Sequence, residues 1–143
     1  MQLTRFTDYG LRILTYLALK PEEELANITE VTELYDLSRN HVVKIVHSLS
    51  KAGFLQTIRG KGGGIRLQRQ PEKIGLGDLV RHLEPSLDIV DCDIPVCRIN
   101  QVCQLRPILD EARDAFLAVL DNYTLADLIA KPEPLRKVLF FAK

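Results

Sequence analysis

A cationic turn crowded with glycine, Arg59-Gly-Lys-Gly-Gly-Gly64, separates two short runs of alternating apolar and polar residues. The runs, Phe54-Leu-Gln-Thr-Ile58 and Ile65-Arg-Leu-Gln-Arg69, have the period of two that strands follow, so the segment predicts a hairpin with a flexible, basic tip. Just before it lies a helix signal. Ser38 stands at the N-cap, Val42, Ile45, Val46 and Leu49 recur at helical spacing, and Gly53 ends the run. The outer face of that helix carries Asn40, Lys44, His47, Ser48 and Lys51. A shorter helix precedes it: Asn27 and Glu30 are spaced as a capping box, Ile28, Val31 and Leu34 supply the apolar side, and Asp36-Leu37 makes a tight break. Two short helices, the second basic outside, followed by a basic hairpin, are the order of a winged helix-turn-helix.

Gly60, Gly62, Gly63 and Gly64 could instead cradle a nucleotide phosphate, but the P-loop order is absent and a strand, not a helix, follows. A wing whose Arg59 and Lys61 meet DNA phosphates or the minor groove fits the residues better, since glycine permits close approach.

Charge supports that choice. The 143 residues carry 19 basic and 19 acidic side chains, and the zero sum hides a segregation. Between positions 38 and 73 lie Arg39, Lys44, Lys51, Arg59, Lys61, Arg66, Arg69 and Lys73 against Glu72 alone. Between 84 and 127 acids dominate, with Arg98, Arg106 and Arg113 opposing them. One segment is built to meet a polyanion and the other to stay off it. The longest apolar stretch, between Arg12 and Lys20, is too short to cross a bilayer. The first residues lack the pattern of a secretory signal, so the expected location is cytoplasmic.

Elsewhere the pattern is helical. Thr7 can cap a first helix running to about Lys20, before Pro21, and its crowded apolar positions imply burial on most sides. A long amphipathic helix spans about 107–122, with Leu105, Ile108, Leu109, Ala112, Phe116, Val119, Leu120 and Tyr123 as one stripe. Such a stripe outside the DNA-binding region predicts a partner helix, most simply from a second copy. A further short helix covers 124–129, and Pro132 and Pro134 lead into a short tail. The expected fold is therefore mainly α with a small β-hairpin. Residues 1–83 form the winged helix-turn-helix domain, 84–104 a cysteine-bearing loop, and 105–143 a dimerisation helix and tail.

Cys92, Cys97 and Cys103 are spaced C-x4-C-x5-C in a segment without period, where Pro95 and flanking aspartates oppose regular structure. Structural zinc sites place paired thiolates closer together and need a fourth ligand. Wider spacing suits an iron–sulfur cluster, and zinc, a thiol switch or metal-free cysteines also stay open on spacing alone. A redox enzyme could hold a cluster too, but would not need the basic helix and hairpin. The residues point to a regulator, not an enzyme.

Phe6-Thr-Asp-Tyr-Gly-Leu-Arg12, Ser38-Arg-Asn-His41, Arg59-Gly-Lys-Gly-Gly-Gly-Ile-Arg-Leu67, the three cysteines and Leu120-Asp-Asn-Tyr-Thr-Leu-Ala-Asp-Leu128 resemble the NsrR-type nitric-oxide-sensing repressors. These belong to the winged-helix family that includes the iron–sulfur regulator IscR. The resemblance implies a homodimer on double-stranded operator DNA. It also implies a 4Fe–4S or 2Fe–2S cluster on Cys92, Cys97 and Cys103 that nitric oxide destroys. Asp8 matches the position of a fourth ligand supplied by the other subunit. IscR-type proteins have an extra residue between the first two cysteines and a histidine after the third; no histidine follows Cys103 here. An IscR-like regulator sensing cluster status or oxidants is the alternative. In the DNA interface, Asn40 and His41 are the expected base readers, Arg39, Lys44 and Lys51 hold phosphates, Arg59 and Lys61 meet phosphates or the minor groove, and Ser38 completes the DNA-binding set.

Overall fold

In the computed structural model, which describes residues 1–141, the first helix starts three residues earlier than Thr7 would place it. Helix α1 is Arg5–Leu19, and its cap is Thr4, whose extended backbone lets Oγ1 accept the Thr7 N–H at 3.3 Å. Thr4 is itself anchored, its N–H and hydroxyl donating to Glu84 Oε1 at 2.7 and 3.1 Å. Thr7 lies fully buried one turn in. Ile13, Leu14, Tyr16, Leu17 and Leu19 are all buried, which makes α1 the central helix.

Helix α2, Ile28–Tyr35, opens with the expected capping box between Asn27 and Glu30 and ends at Asp36 in the left-handed region, φ 50°. That residue turns the chain into α3, Arg39–Lys51, where Ser38 Oγ accepts the His41 N–H at 3.2 Å. Val42, Ile45, Val46 and Leu49 face the core as their spacing predicts.

The hairpin pairs β1, Leu55–Ile58, with β2, Gly64–Leu67, antiparallel in the register Leu55↔Leu67 to Ile58↔Gly64. Alternation fails at its base, where Phe54 and Leu55 are both buried. Phe54 precedes the strand and packs against the His82 ring and beneath the Arg69 guanidinium. Ala26 exchanges both backbone hydrogen bonds with Ile65, at 2.9 and 2.7 Å, and so pins the wing to the loop before α2. A Cβ on Gly64 would stand 2.5 Å from the Ala26 carbonyl oxygen, and one on Gly63 would overlap the Ile58 carbonyl. These two glycines serve the docking and turning of the wing itself.

A short turn of helix at Pro71–Lys73 leads to α4, Leu76–Leu83, which buries Leu76, Leu79, Val80 and Leu83. It passes so close to α1 that a Cβ on Gly10 would lie 2.7 Å from Leu83 Cδ1. After the irregular cysteine segment, α5 runs Leu105–Leu120 and α6 Leu125–Leu128. The C-terminal end of α5 is tied back to the winged domain. Leu76 N–H donates to the Tyr123 carbonyl (2.9 Å), Leu125 N–H to that of Ile74 (2.8 Å), and Arg81 grips Asp121 through two bonds of 2.5 and 2.8 Å. The expected tail is folded: α7, Pro132–Arg136, continues into a wide turn at Lys137–Phe141. Proline is tolerated at a helix start because its missing N–H has no partner there to lose. One hydrophobic core joins α1, α2, α3, the hairpin, α4 and α6. No helix among the described residues is long and apolar enough to cross a membrane.

Candidate nucleic-acid interface and cysteine loop

The residues of the basic block divide into two groups. Arg66 Nε donates to Gln56 Oε1 across the hairpin at 3.2 Å, and Arg69 donates to the Ala52 carbonyl at 3.1 Å while lying 4.9 Å over the Phe54 ring. These two are structural. Lys44 and Lys51 on α3, and Arg59 and Lys61 at the wing tip, are exposed and make no side-chain hydrogen bond or ion pair among the described residues. Arg39 is exposed but steadied by donation to Thr29 Oγ1 at 3.0 Å.

At the start of α3, Asn40 is exposed and His41 half-buried, its ring edge-on to Tyr9 with centroids 5.8 Å apart. Ser38 is exposed, with its hydroxyl engaged as the helix cap. Ser48 is turned aside: His82 Nε2 lies 3.0 Å from its Oγ and 3.1 Å from its carbonyl oxygen. Arg39 and Arg59 line one groove of about 1010 Å³ between α2 and the base of the wing.

The cysteine segment is held by short-range bonds. Asp91 Oδ1 accepts the N–H groups of Asp93 and Ile94 at 2.9 and 3.2 Å, Cys97 N–H donates to the Cys92 carbonyl at 3.0 Å, and Asn100 N–H to that of Cys97 at 3.1 Å. All three cysteines are free and half-buried. Desolvation raises the Cys92 thiol pKa; the nearby Arg106 guanidinium opposes the shift, and Cys97, Cys103 and Asp93 add to it. Among the described residues no three His, Cys, Asp or Glu side chains converge on the position of a single metal ion. Between the cysteines, Ile94, Val96, Ile99 and Val102 are 57–82% exposed, an apolar crown that composition alone did not reveal.

Asp8 stands in the first turn of α1 and makes a bidentate pair with Arg12, at 2.9 and 2.8 Å. The pair raises the Arg12 pKa, first through this hydrogen bond.

Helix α5 shows two faces where one stripe was expected. Leu109, Phe116 and Leu120 are half-buried and Leu117 buried. Leu105, Ile108, Ala112, Ala115 and Val119 are exposed and follow a strict heptad alternation of three and four residues. Ala115 belongs to this seam, which a search for large apolar side chains passes over.

Residues 3–131 match the Rrf2 family, described as iron-dependent transcriptional regulators. The chain belongs to the Rrf2 family. Among solved structures, CymR (YrzC), the global cysteine regulator of B. subtilis, is 31% identical with a TM-score of 0.74, covering 91% of this chain and 97% of that one. IscR of T. potens is 26% identical with a TM-score of 0.75, covering 95% and 91%. CymR of Staphylococcus aureus is 29% identical with a TM-score of 0.71, covering 87% and 95%. Rrf2 proteins are DNA-binding transcriptional regulators rather than enzymes, and this chain has the winged-helix fold of such a regulator.

Proposed function

We propose that this Rrf2 protein is a homodimeric repressor that binds double-stranded operator DNA through α3 and the wing. In this reading Cys92, Cys97 and Cys103 hold an iron–sulfur cluster, of 4Fe–4S or 2Fe–2S type, and nitric oxide releases the DNA by destroying it. The observation that carries the DNA half is the set of four unpaired cations, Lys44, Lys51, Arg59 and Lys61, beside the exposed Asn40. Phosphate contacts by such cations hold the protein in register while Asn40 and His41 read base edges.

The donor set fits a cluster. Three half-buried thiols share one irregular loop, with Cys97 and Cys103 near enough to Cys92 to help raise its pKa and the Arg106 guanidinium beside it opposing that shift. Several irons spread the attachment points, which suits thiols with four and five residues between them. A bound cluster would supply iron that reacts with nitric oxide. The apolar crown and the heptad seam of α5 would face a second copy of the chain, because a seam of this kind is self-complementary and the crown runs directly into it. Asp8 of the other subunit would complete the ligand set only by leaving Arg12, which makes the carboxylate the weakest link.

A second reading has its own support. The likeness to CymR structures, one of them called a cysteine regulator, favours a metal-free thiol switch. Anaerobic purification separates the two. The wild-type protein should show a visible chromophore that is lost on Cys92→Ala, Cys97→Ala or Cys103→Ala, each variant remaining folded; a colourless anaerobic wild-type protein would overturn the cluster.

A further inference from the structure

The match to the family ends at residue 131, yet residues 132–141 are folded back on the body of the protein. Arg136 directs Nε and Nη2 at the Leu19 carbonyl, both at 3.4 Å, and so serves one of the acceptors left open where α1 ends. Leu139 packs on the hydrophobic core. Phe140 stacks on Tyr16, ring centroids 5.2 Å apart and planes 25° from parallel.

Tyr16 is 3% exposed, and its hydroxyl donates to Glu30 Oε1. Lys20 Nζ reaches the same oxygen at 2.7 Å, and the other carboxylate oxygen accepts the Asn27 N–H at 3.4 Å, closing the capping box of α2. A chain of contacts therefore runs from Phe140 through Tyr16 and Glu30 to the first turn of the first helix of the helix-turn-helix. Leu139 and Phe140 also line the groove whose other walls include Arg39, Thr57 and Ile58.

We infer that residues 132–141 are a C-terminal clasp that seats α2, with Phe140 and Tyr16 as positioning residues for DNA recognition. Helix α2 depends on such support. It has eight residues, too few to be stable alone, and Val31 is its one buried side chain. Any tilt of α2 passes to the start of α3 through the tight turn at Asp36 and the Arg39–Thr29 bond, and there Asn40 and His41 stand.

The test compares full-length Phe140→Ala, Phe140→Tyr and Tyr16→Phe by amide hydrogen exchange and by affinity for operator and unrelated duplex. The affinity arm rests on α3 and the wing being the DNA interface; the exchange arm does not, so the two can fail separately. Phe140→Ala and Tyr16→Phe accelerate exchange across residues 28–43 and leave α4 and α5 unchanged. Operator affinity falls about fivefold, as when one specific contact is displaced, while unrelated duplex is bound as before. Phe140→Tyr keeps the ring and behaves as wild type. Tyr16→Phe removes a single oxygen and keeps the experiment decisive if Phe140→Ala fails to fold. Wild-type exchange across residues 28–43 in folded Phe140→Ala, or in Tyr16→Phe if Phe140→Ala does not fold, would overturn the clasp.

Discussion

Lys44 is exposed and unpaired, so Lys44→Ala removes a charge and little else. It should weaken all duplexes alike and lower the salt slope of binding by about one; a changed base preference at an unchanged slope would contradict a phosphate role. Asn40→Ala should instead relax preference at one base position at a cost of about 1–3 kcal/mol, read by competition among single-base variants of the operator. Gly64 tests the wing's attachment. Gly64→Ala forces a Cβ against the Ala26 carbonyl oxygen, and the backbone there has no rotamer to yield. Overpacking of this kind costs about 1–3 kcal/mol, to be seen as a lower melting temperature. Tyrosine ionisation gives a pH test. Burial pushes the Tyr35 phenol up to about 12, and burial together with the Glu30 hydrogen bond raises that of Tyr16 as well. The folded state thus keeps protons that the unfolded chain loses near pH 10, so this contribution is intact below about pH 10 and lost as pH rises toward 12. Spectrophotometric titration should show these two phenols ionising late, together with unfolding; ionisation of both near pH 10 in folded protein would contradict their burial.

Secondary elements follow from local rules wherever those rules are local. The capping box at Asn27, the Ser38 cap and the inward face of α3 are all written within four residues of the groups they satisfy, and all were legible. The start of α1 was not, because Thr4 is fixed by Glu84, 80 positions away. The stripe on α5 was legible as apolar but not as two faces, since only the tertiary placement of Leu117 separates the seam from the side turned to the protein's own domain. The late segment beyond Pro132 was unreadable for the same reason: its partners lie in α1. At this scale the seam predicts that Ile108→Asp, at a side chain 60% exposed, leaves the fold intact and yields monomers by sedimentation. Persisting dimers would move the interface elsewhere.

For the molecule as a whole, the DNA-binding architecture was legible because charge, capping and turn chemistry agree, and the family match confirms the class of protein. The proposed cluster rests on three thiols whose spacing leaves several chemistries open, and a free loop carries no geometric rule of its own. The proposed link between the two ends is mechanical. The cysteine loop is flanked by α4 and α5; α4 touches α3 through His82, and α5 is pinned through Asp121 to Arg81. In the proposed mechanism a dimer spans two half-sites about one turn of DNA apart, so small shifts along this route would release it. The direct test is one anaerobic titration with nitric oxide, followed at once by visible absorption and by the anisotropy of a labelled operator selected from random duplexes. Loss of the chromophore and release of DNA should follow a single curve. A chromophore that disappears while the DNA stays bound, or DNA released with no chromophore to lose, would contradict the account.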